Sequence, residues 1–451
     1  MSSDREFLVT ELDRDRTSRV TKLRFGQKTI TTPTFAPLIH TASDLDAMMQ
    51  IHSIREDSHI GGFIVRLFDA EDVLPVSDKF LQMDMMGRLA SDRVSLFLEE
   101  VVFTLDPGLE YLYYDSKMLR FLGPYDSKAS RYLGNAAVPE AISDYVKSLL
   151  ALKTESGSKE YNKAKAKIHR NFWEGITNDP LQRNKLVRRI FQYATRLRAD
   201  YLIPPVPLIL DDGLLDVAVK MNDVSRELAL ALGRKECANY FLLTAKALQD
   251  HGLIRRIKEY IIDSPSRLSI FKFKYLDLTP PERVEERESY KDLLLDLAYF
   301  SKTFKNRCFA VLENYYQSFP SAVVGFDVVS GSITGFDGDG GRAETPKFGK
   351  WIDPRLMVPL EFKGVQRIFR NNGGRLPCHH SFCRTVTNIE RISQPRWNYL
   401  RRQHCTMYYG DLMTQIARAV KERNVEFARN KLSSSQLSTL KSLIPTPAQL
   451  Q

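Results

Sequence analysis

Three metal-ligand side chains stand close together in LPCHHSFC at 376–383: Cys378, His380 and Cys383. His404 and Cys405 follow in RRQHCTMYYGDLMTQIARAV, a segment with helical patterning. Two thiolates and two imidazoles at this spacing suit a closed tetrahedral zinc site, because Zn2+ accepts both sulfur and nitrogen and has no geometric preference of its own. The expected ligands are Cys378, His380, Cys383 and His404. His379 in place of His380, and Cys405 in place of His404, stay open as alternatives. The competing reading is a chance meeting in a loop, which is improbable in a chain with only five Cys and eight His. Four protein ligands leave no position for water, so the metal is expected to be structural.

Carboxylates are the second source of chemistry. Asp115 in YLYYDSK and Asp327 in SAVVGFDVVSG each follow an apolar, strand-like run. An acid at the C-terminal end of a barrel strand is a candidate nucleophile or acid/base. The plainer alternative is that each caps a helix or orders a turn. Asp337 and Asp339 in GFDGDGG are open to the same two readings. Neither a Ser/His/Asp order nor a P-loop nor a dinucleotide fingerprint stands out. Cys237 and Cys308 fall in helix-like and strand-like patterns and read as small core residues.

Charge separates the chain into two parts. The 451 residues carry 65 Lys/Arg against 55 Asp/Glu, a formal net charge of +10. Residues 361–451 hold 15 Lys/Arg and 5 Asp/Glu, so the first 360 are balanced. A polyanionic partner is expected at the basic end, with Arg396, Arg401 and Arg402 on one helix neutralising phosphates; a solvated charged helix is the alternative. A 43% apolar fraction excludes a disordered chain. No uninterrupted run of about 18 apolar residues is present, which excludes a membrane bundle. The sparse cysteines do not form a disulfide framework, and the N-terminal stretch is acidic with no apolar core. A cytoplasmic location without a signal peptide is therefore expected.

The elements that must position these residues alternate. REFLVTEL, KLRFGQKTITTPTFAPLI, GGFIVRLF and LEYLYYDS read as strands, with a helix capped by Ser43 between them. The stretch 153–173 is polar and lysine-rich and reads as an exposed part of a helical insertion near 137–180. A strand is expected near Tyr201. SRELALALG and ECANYFLLTAKALQDHGLIRRIKEYII read as helices, LSIFKFKYLDL as a strand, SYKDLLLDLAYFSKTF as a helix, and NRCFAVLEN and SAVVGFDVVS as strands. Repeated strand and helix units of this length predict a parallel α/β sheet closed as a (β/α)8 TIM barrel over residues 1–360. Residues 361–451 are expected to form a basic zinc-binding subdomain with closing helices.

Four segments in order resemble one family. FGQKTITTPTFAPLIHTASDLDAM resembles the N-terminal signature of the queuine and archaeosine tRNA-guanine transglycosylases. YYDS resembles the strand end bearing that family's DSGG motif, and AVVGFDVVSG the later strand end with its GVD-x-FD motif. The Cys/His array with HCTMYYGDLMTQIAR resembles its zinc subdomain and ligand helix. The resemblance implies a (β/α)8 barrel with an inserted zinc subdomain that exchanges guanine in a nucleic acid for a 7-deazaguanine base. One carboxylate attacks C1′ and holds the sugar; a second handles protons on the departing and entering purines.

On this resemblance Asp115 is the acid/base, Asp327 the nucleophile, and Ser116 lies in the base pocket. Matching GFD to GVD instead makes Asp327 structural, puts Ser330 at the nucleophile position and leaves Asp337 as substitute. The chain departs from the family where Lys117-Met118 replaces a glycine pair and IPPVP (203–207) replaces a base-recognising acid. These departures and the absence of an appended RNA-binding domain look more like the DNA-guanine transglycosylase branch. The implied partners are DNA, with tRNA second, a 7-deazaguanine base, and the proteins of a DNA-modification system.

Overall fold

The computed structural model describes residues 7–16, 18–39, 44, 47, 59–66, 103–107, 109, 144–145, 147–149, 151–152, 158–196, 199–233, 236–274, 284–312, 318–332, 350–355, 357–424, 426–427 and 430. Asp115, Ser116, Asp337, Asp339, the strand expected at LEYLYYDS and most of the helix expected from Ser43 lie outside the described residues.

The chain opens with an antiparallel sheet of β1 (Phe7–Asp15), β2 (Ser18–Phe25) and β3 (Lys28–Thr31). In β2, Thr21, Leu23 and Phe25 are buried while Lys22 and Arg24 are exposed, the period of a half-buried strand. Gly26 turns β2 into β3 at φ 63°, where a side chain is disfavoured.

A second sheet has eight strands: β4 (Thr34–Ile39), β5 (Phe63–Arg66), β6 (Phe103–Asp106), β7 (Leu208–Ile209), β8 (Asn239–Thr244), β9 (Leu268–Lys274), β10 (Cys308–Leu312) and β11 (Val328–Ser332). Every pairing in it is parallel, in the order β6-β5-β4-β11-β10-β9-β8-β7. Apart from the β11–β4 pair, each strand lies beside its neighbour in sequence, and β6 and β7 stand at the two edges. The Thr104 hydroxyl on β6 donates to Tyr201 O, just before β7, at 3.1 Å.

Register divides this sheet into two unlike faces. One carries Phe35, Phe63, Phe241, Phe271 and Phe309, the apolar surface that parallel strands present to their crossover helices. The other carries smaller and polar side chains, Thr34, Ala36, Ala310, Ser330, Tyr240, Lys272, Thr104 and Asp106, among the apolar Leu38, Ile64, Leu242, Ile270 and Val328. Asp106 and Lys272 are five strands apart in the sheet order, yet their side chains meet at 2.7 Å. The face they share is therefore concave.

Helices Asp212–Ala231, His251–Asp263 and Val284–Thr303 connect β7 to β8, β8 to β9 and β9 to β10. Each of the first two is capped by an aspartate, Asp211 or Asp250, accepting from the N–H three residues on. Asn222 completes β8 from the helix side: it accepts from Tyr240 N at 2.9 Å and donates to Tyr240 O at 3.1 Å.

Beyond the eight strands lie the antiparallel pair β12 (Lys350–Asp353) and β13 (Val358–Glu361), the helix Phe362–Asn371 and a short helix Ser381–Arg384. Trp351, Val365, Phe369, Leu376, Cys383, Ile389 and Trp397 form a core of their own. The long helix Gln394–Lys421 joins this module to both sheets, packing on β12, β4, β1 and β2. It is buried on nearly all sides from Leu400 to Val420, as a helix passing through a core must be. At Gly410 an added Cβ would lie 2.8 Å from the Ile60 side chain, so only glycine permits the approach. Among the described residues no helix is long and apolar enough to cross a membrane.

The α/β class agrees with the sequence reading, and several local expectations do not. Residues 239–244, expected within a helix, are the strand β8, fully buried between β7 and β9. The strand expected near Tyr201 is reduced to Leu208–Ile209 with a single bridge at Leu202, since Pro204, Pro205 and Pro207 lack the N–H that a ladder needs. The lysine-rich stretch 153–173 is not a wholly exposed insertion: helix Lys159–Asn178 buries Lys165, His169, Trp173 and Ile176 on one face. In SAVVGFDVVS the first half ends the helix Ser318–Val323, and the strand begins only at Val328.

Candidate functional site

The Cys/His array converges. After Pro377 the backbone turns so that Cys383 N and Arg384 N both donate to His380 O, at 3.0 and 3.2 Å, drawing three ligands onto one side of a single helical turn. His404 comes from the long helix. The donor atoms of Cys378, His380, Cys383 and His404 all lie within 4.8 Å of one another, and the four can hold a metal ion. Nδ1 of His380 lies 3.2 Å from Cys378 Sγ, and Nδ1 of His404 lies 3.3 Å from Cys378 Sγ and 3.4 Å from Cys383 Sγ. Zinc–sulfur and zinc–nitrogen bonds of about 2.3 and 2.0 Å put such atoms about 3.6 Å apart along a tetrahedral edge, so the spacing fits.

The outer nitrogens are held as ligand histidines require. His404 Nε2 donates to Ile352 O at 2.8 Å, and His380 Nε2 to Asp411 Oδ2 at 2.8 Å, leaving both Nδ1 lone pairs facing the sulfurs. Trp351 stacks on His404 with ring centroids 4.4 Å apart and shuts out water. The Cys383 thiol hydrogen bond, set against burial and aided by His380 and His404, holds Cys378 down to about 2. Burial, then the hydrogen bond with Cys378, pushes Cys383 up. Burial works against the charged form of His380, but Asp411 and Cys378 together raise it to about 9. Without metal the pair thus shares one thiolate, the anion a divalent cation displaces protons to reach. Of the alternatives, His379 is exposed and points Nε2 at Asp411, 3.0 Å away, and Cys405 is buried outside the cluster.

Asp327 stands elsewhere than expected. It precedes β11, so it lies at the N-terminal end of its strand, beside the small antiparallel sheet. Its Oδ2 accepts from Arg19 and from Phe309 N (2.9 Å), and its Oδ1 from the hydroxyls of Thr21 (3.0 Å) and Thr32 (3.3 Å). Four donors from two strands and a loop make it a fastener between the two sheets. Three positions on, Ser330 is fully buried on the concave face, and its Oγ has no hydrogen-bond partner among the described residues.

Among the described residues of the eight-stranded sheet, a buried carboxylate stands at the C-terminal end of a strand at Asp106, last residue of β6. Lys272 Nζ donates to its Oδ2 at 2.7 Å and Tyr240 OH to its Oδ1 at 3.2 Å, and both Asp106 and Lys272 are wholly buried. Sequence reasoning passed over it. The signals were an acid before Pro107-Gly108 after an apolar run, and a lysine at an inward position of the buried strand LSIFKFK.

Of the three arginines expected to meet phosphate, only Arg396 is exposed. Arg401 is buried, and Arg402 pairs with buried Asp44 at 2.5 Å, because the helix runs into the core rather than across the surface. The module's exposed cations lie instead at Lys363, Arg367, Arg375, Arg384, Arg391 and Arg396. Lys363 and Arg367 occupy one face of helix Phe362–Asn371, and Arg370 on the same side grips Glu390 at 2.6 Å.

Compared with protein families and with characterised proteins, the chain matches none.

Proposed function

We propose that the protein is a guanine transglycosylase acting on DNA, built on a closed (β/α)8 barrel with a structural zinc module. Closure is supported by the Asp106–Lys272 contact, since five strand spacings of about 4.8 Å would hold these residues about 24 Å apart in a flat sheet. The β11–β4 pairing and the Thr104–Tyr201 hydrogen bond support it as well. Zinc is favoured over other ions by the two-sulfur, two-nitrogen donor set and its tight spacing.

The observation that carries the enzymatic reading is Asp106: a buried carboxylate at the C-terminal end of the third strand, held by a cation and a phenol on a concave face. In this reading Asp106 handles the proton on the departing and entering purines, the role that resemblance gave to Asp115. The C1′ carboxylate then comes from Asp115 or Asp337, both outside the described residues, because the four donors on Asp327 occupy its lone pairs. The exposed cations of the zinc module would seat phosphates, making binding fall with salt. The target guanine would be flipped from the duplex or taken from a single strand.

The test is incorporation of labelled guanine or a 7-deazaguanine into DNA and tRNA, together with trapping of a covalent complex on denaturing gels. Label in DNA, abolished by Asp106→Asn, is expected; label in tRNA alone rejects the DNA reading. A second reading, a catalytically inactive paralogue that binds nucleic acid, is favoured by one observation: Ser330 stands where the GFD-to-GVD match puts the nucleophile. Nucleic-acid binding with no exchange and no trapped complex would select it.

A further inference from the structure

The concave face holds more polar groups than one carboxylate needs. Lys272 is wholly buried, and Ser330 Oγ, on the same face by register, is buried without a partner. Buried ion pairs contribute little to stability compared with apolar side chains of similar volume, and an orphaned hydroxyl detracts from it. Packing alone therefore gives no reason for this set. The Asp106 carboxylate, the Lys272 ammonium and the Tyr240 phenol meet on this face, and Ser330 lies on the same face by register, a set of groups that a polar planar ligand would require.

We infer that Lys272 determines specificity for the base: Nζ donates to the 6-oxo oxygen of a purine while Asp106 holds the ammonium in place, and Ser330 Oγ makes a second polar contact. The inference rests on the transglycosylase reading for the identity of the ligand class. An ammonium only donates, and the guanine edge bearing O6 and N7 only accepts. Adenine presents an amino group where guanine has O6, so Lys272 meets a donor and rejects it. No other described lysine on this face is seen buried against a carboxylate.

The experiment is calorimetric titration of the full-length protein with guanine, hypoxanthine and adenine. Guanine and hypoxanthine, which share the 6-oxo group, should bind about tenfold or more tighter than adenine. Lys272→Met should weaken both 6-oxo bases about tenfold and leave adenine unchanged, which general damage to the fold would not do. Since Lys272→Met strands a buried carboxylate, the pair Lys272→Met with Asp106→Asn is measured beside it and should lose the same discrimination. Ser330→Ala should weaken all three bases about threefold. Equal binding of the three bases by the unaltered protein, or discrimination surviving Lys272→Met, overturns the inference. The two readings fail separately: selective base binding without exchange into nucleic acid rejects only the enzyme, whereas exchange with an unchanged KM for the base in Lys272→Met rejects only the role of Lys272.

Discussion

The eight-stranded region and the C-terminal Cys/His module are held together and finished at the surface in opposite ways. In the first, surface charges pair between neighbouring helices: Arg256 with Asp212 and Asp216, Lys258 with Asp296, Arg170 with Asp211. Its interior is a large apolar core, closed at the N-terminal end by Arg19 and Asp327. The module has a core of nine buried residues, a four-residue Cys/His cluster, and six exposed cations with no acidic partner among the described residues, Glu390 being taken by Arg370. A core that small gains little from burial alone, so a metal held by the four-ligand cluster would supply a further constraint. The contrast is one of surface: helices around the sheet pair many of their charges with one another, whereas Lys363, Arg367, Arg375, Arg384, Arg391 and Arg396 of the module have no acidic partner among the described residues.

The sharpest way to break this contrast is to chelate any metal the Cys/His cluster holds. Chelation at neutral pH should melt the module while the sheet region persists, because structural zinc sites contribute on the order of 10 kcal/mol of folding free energy. Two of the three tryptophans, Trp351 and Trp397, lie in the module core, so their fluorescence should shift and proteolysis should open the 373–396 segment. Unchanged cleavage would mean that the small core stands without the ion. Next in size is Asp327→Asn, which strands Arg19 in the interior. It should lower stability by about 3–5 kcal/mol, seen as a fall in denaturation midpoint, with metal content unaltered. A midpoint within error of the unaltered protein would return Asp327 to the list of candidate catalysts.

Gly410→Ala tests the link between the regions. The added methyl must push Ile60 aside, and overpacking of that kind costs about 1–3 kcal/mol. One cooperative transition, shifted down, is expected; two separate transitions would show the helix passing no constraint from module to sheet. The smallest effect concerns charge. Reversing Lys363 and Arg367 together to glutamate should weaken binding of labelled duplex DNA about tenfold and lower its salt dependence by about two phosphate contacts. Reversing Arg255, paired within its own helix to Glu259, should change it less than twofold. Equal losses from both would erase the distinction between the two surfaces.

The Cys/His cluster was legible because its members are rare residue types and three of them are local: once Cys378, His380 and Cys383 share a turn, only His404 has to be brought from a distance. Charge asymmetry was equally legible, since it is a sum over residues. Which cations face solvent was not. Arg401 and Arg402 look like any surface arginines until the helix that carries them is seen to enter the core. The acids misled for a related reason: AVVGFDVV reads as a strand ending at Asp327 or one starting after it, and apolar patterning has no direction. Asp106 passed unnoticed because a strand-end acid before Pro-Gly reads as a turn.

By itself the sequence determined the α/β class, the Cys/His cluster with two of its members left open, and the basic C-terminal segment, all of which follow from local spacing or from composition. Only the tertiary structure decided which end of the sheet each aspartate occupies and which lysine reaches it. Asp106, Tyr240 and Lys272 come from three strands separated by long stretches of chain, and they meet because the sheet curves. Contacts of that kind are set by strand order and curvature, and no residue pattern along the chain encodes either one locally.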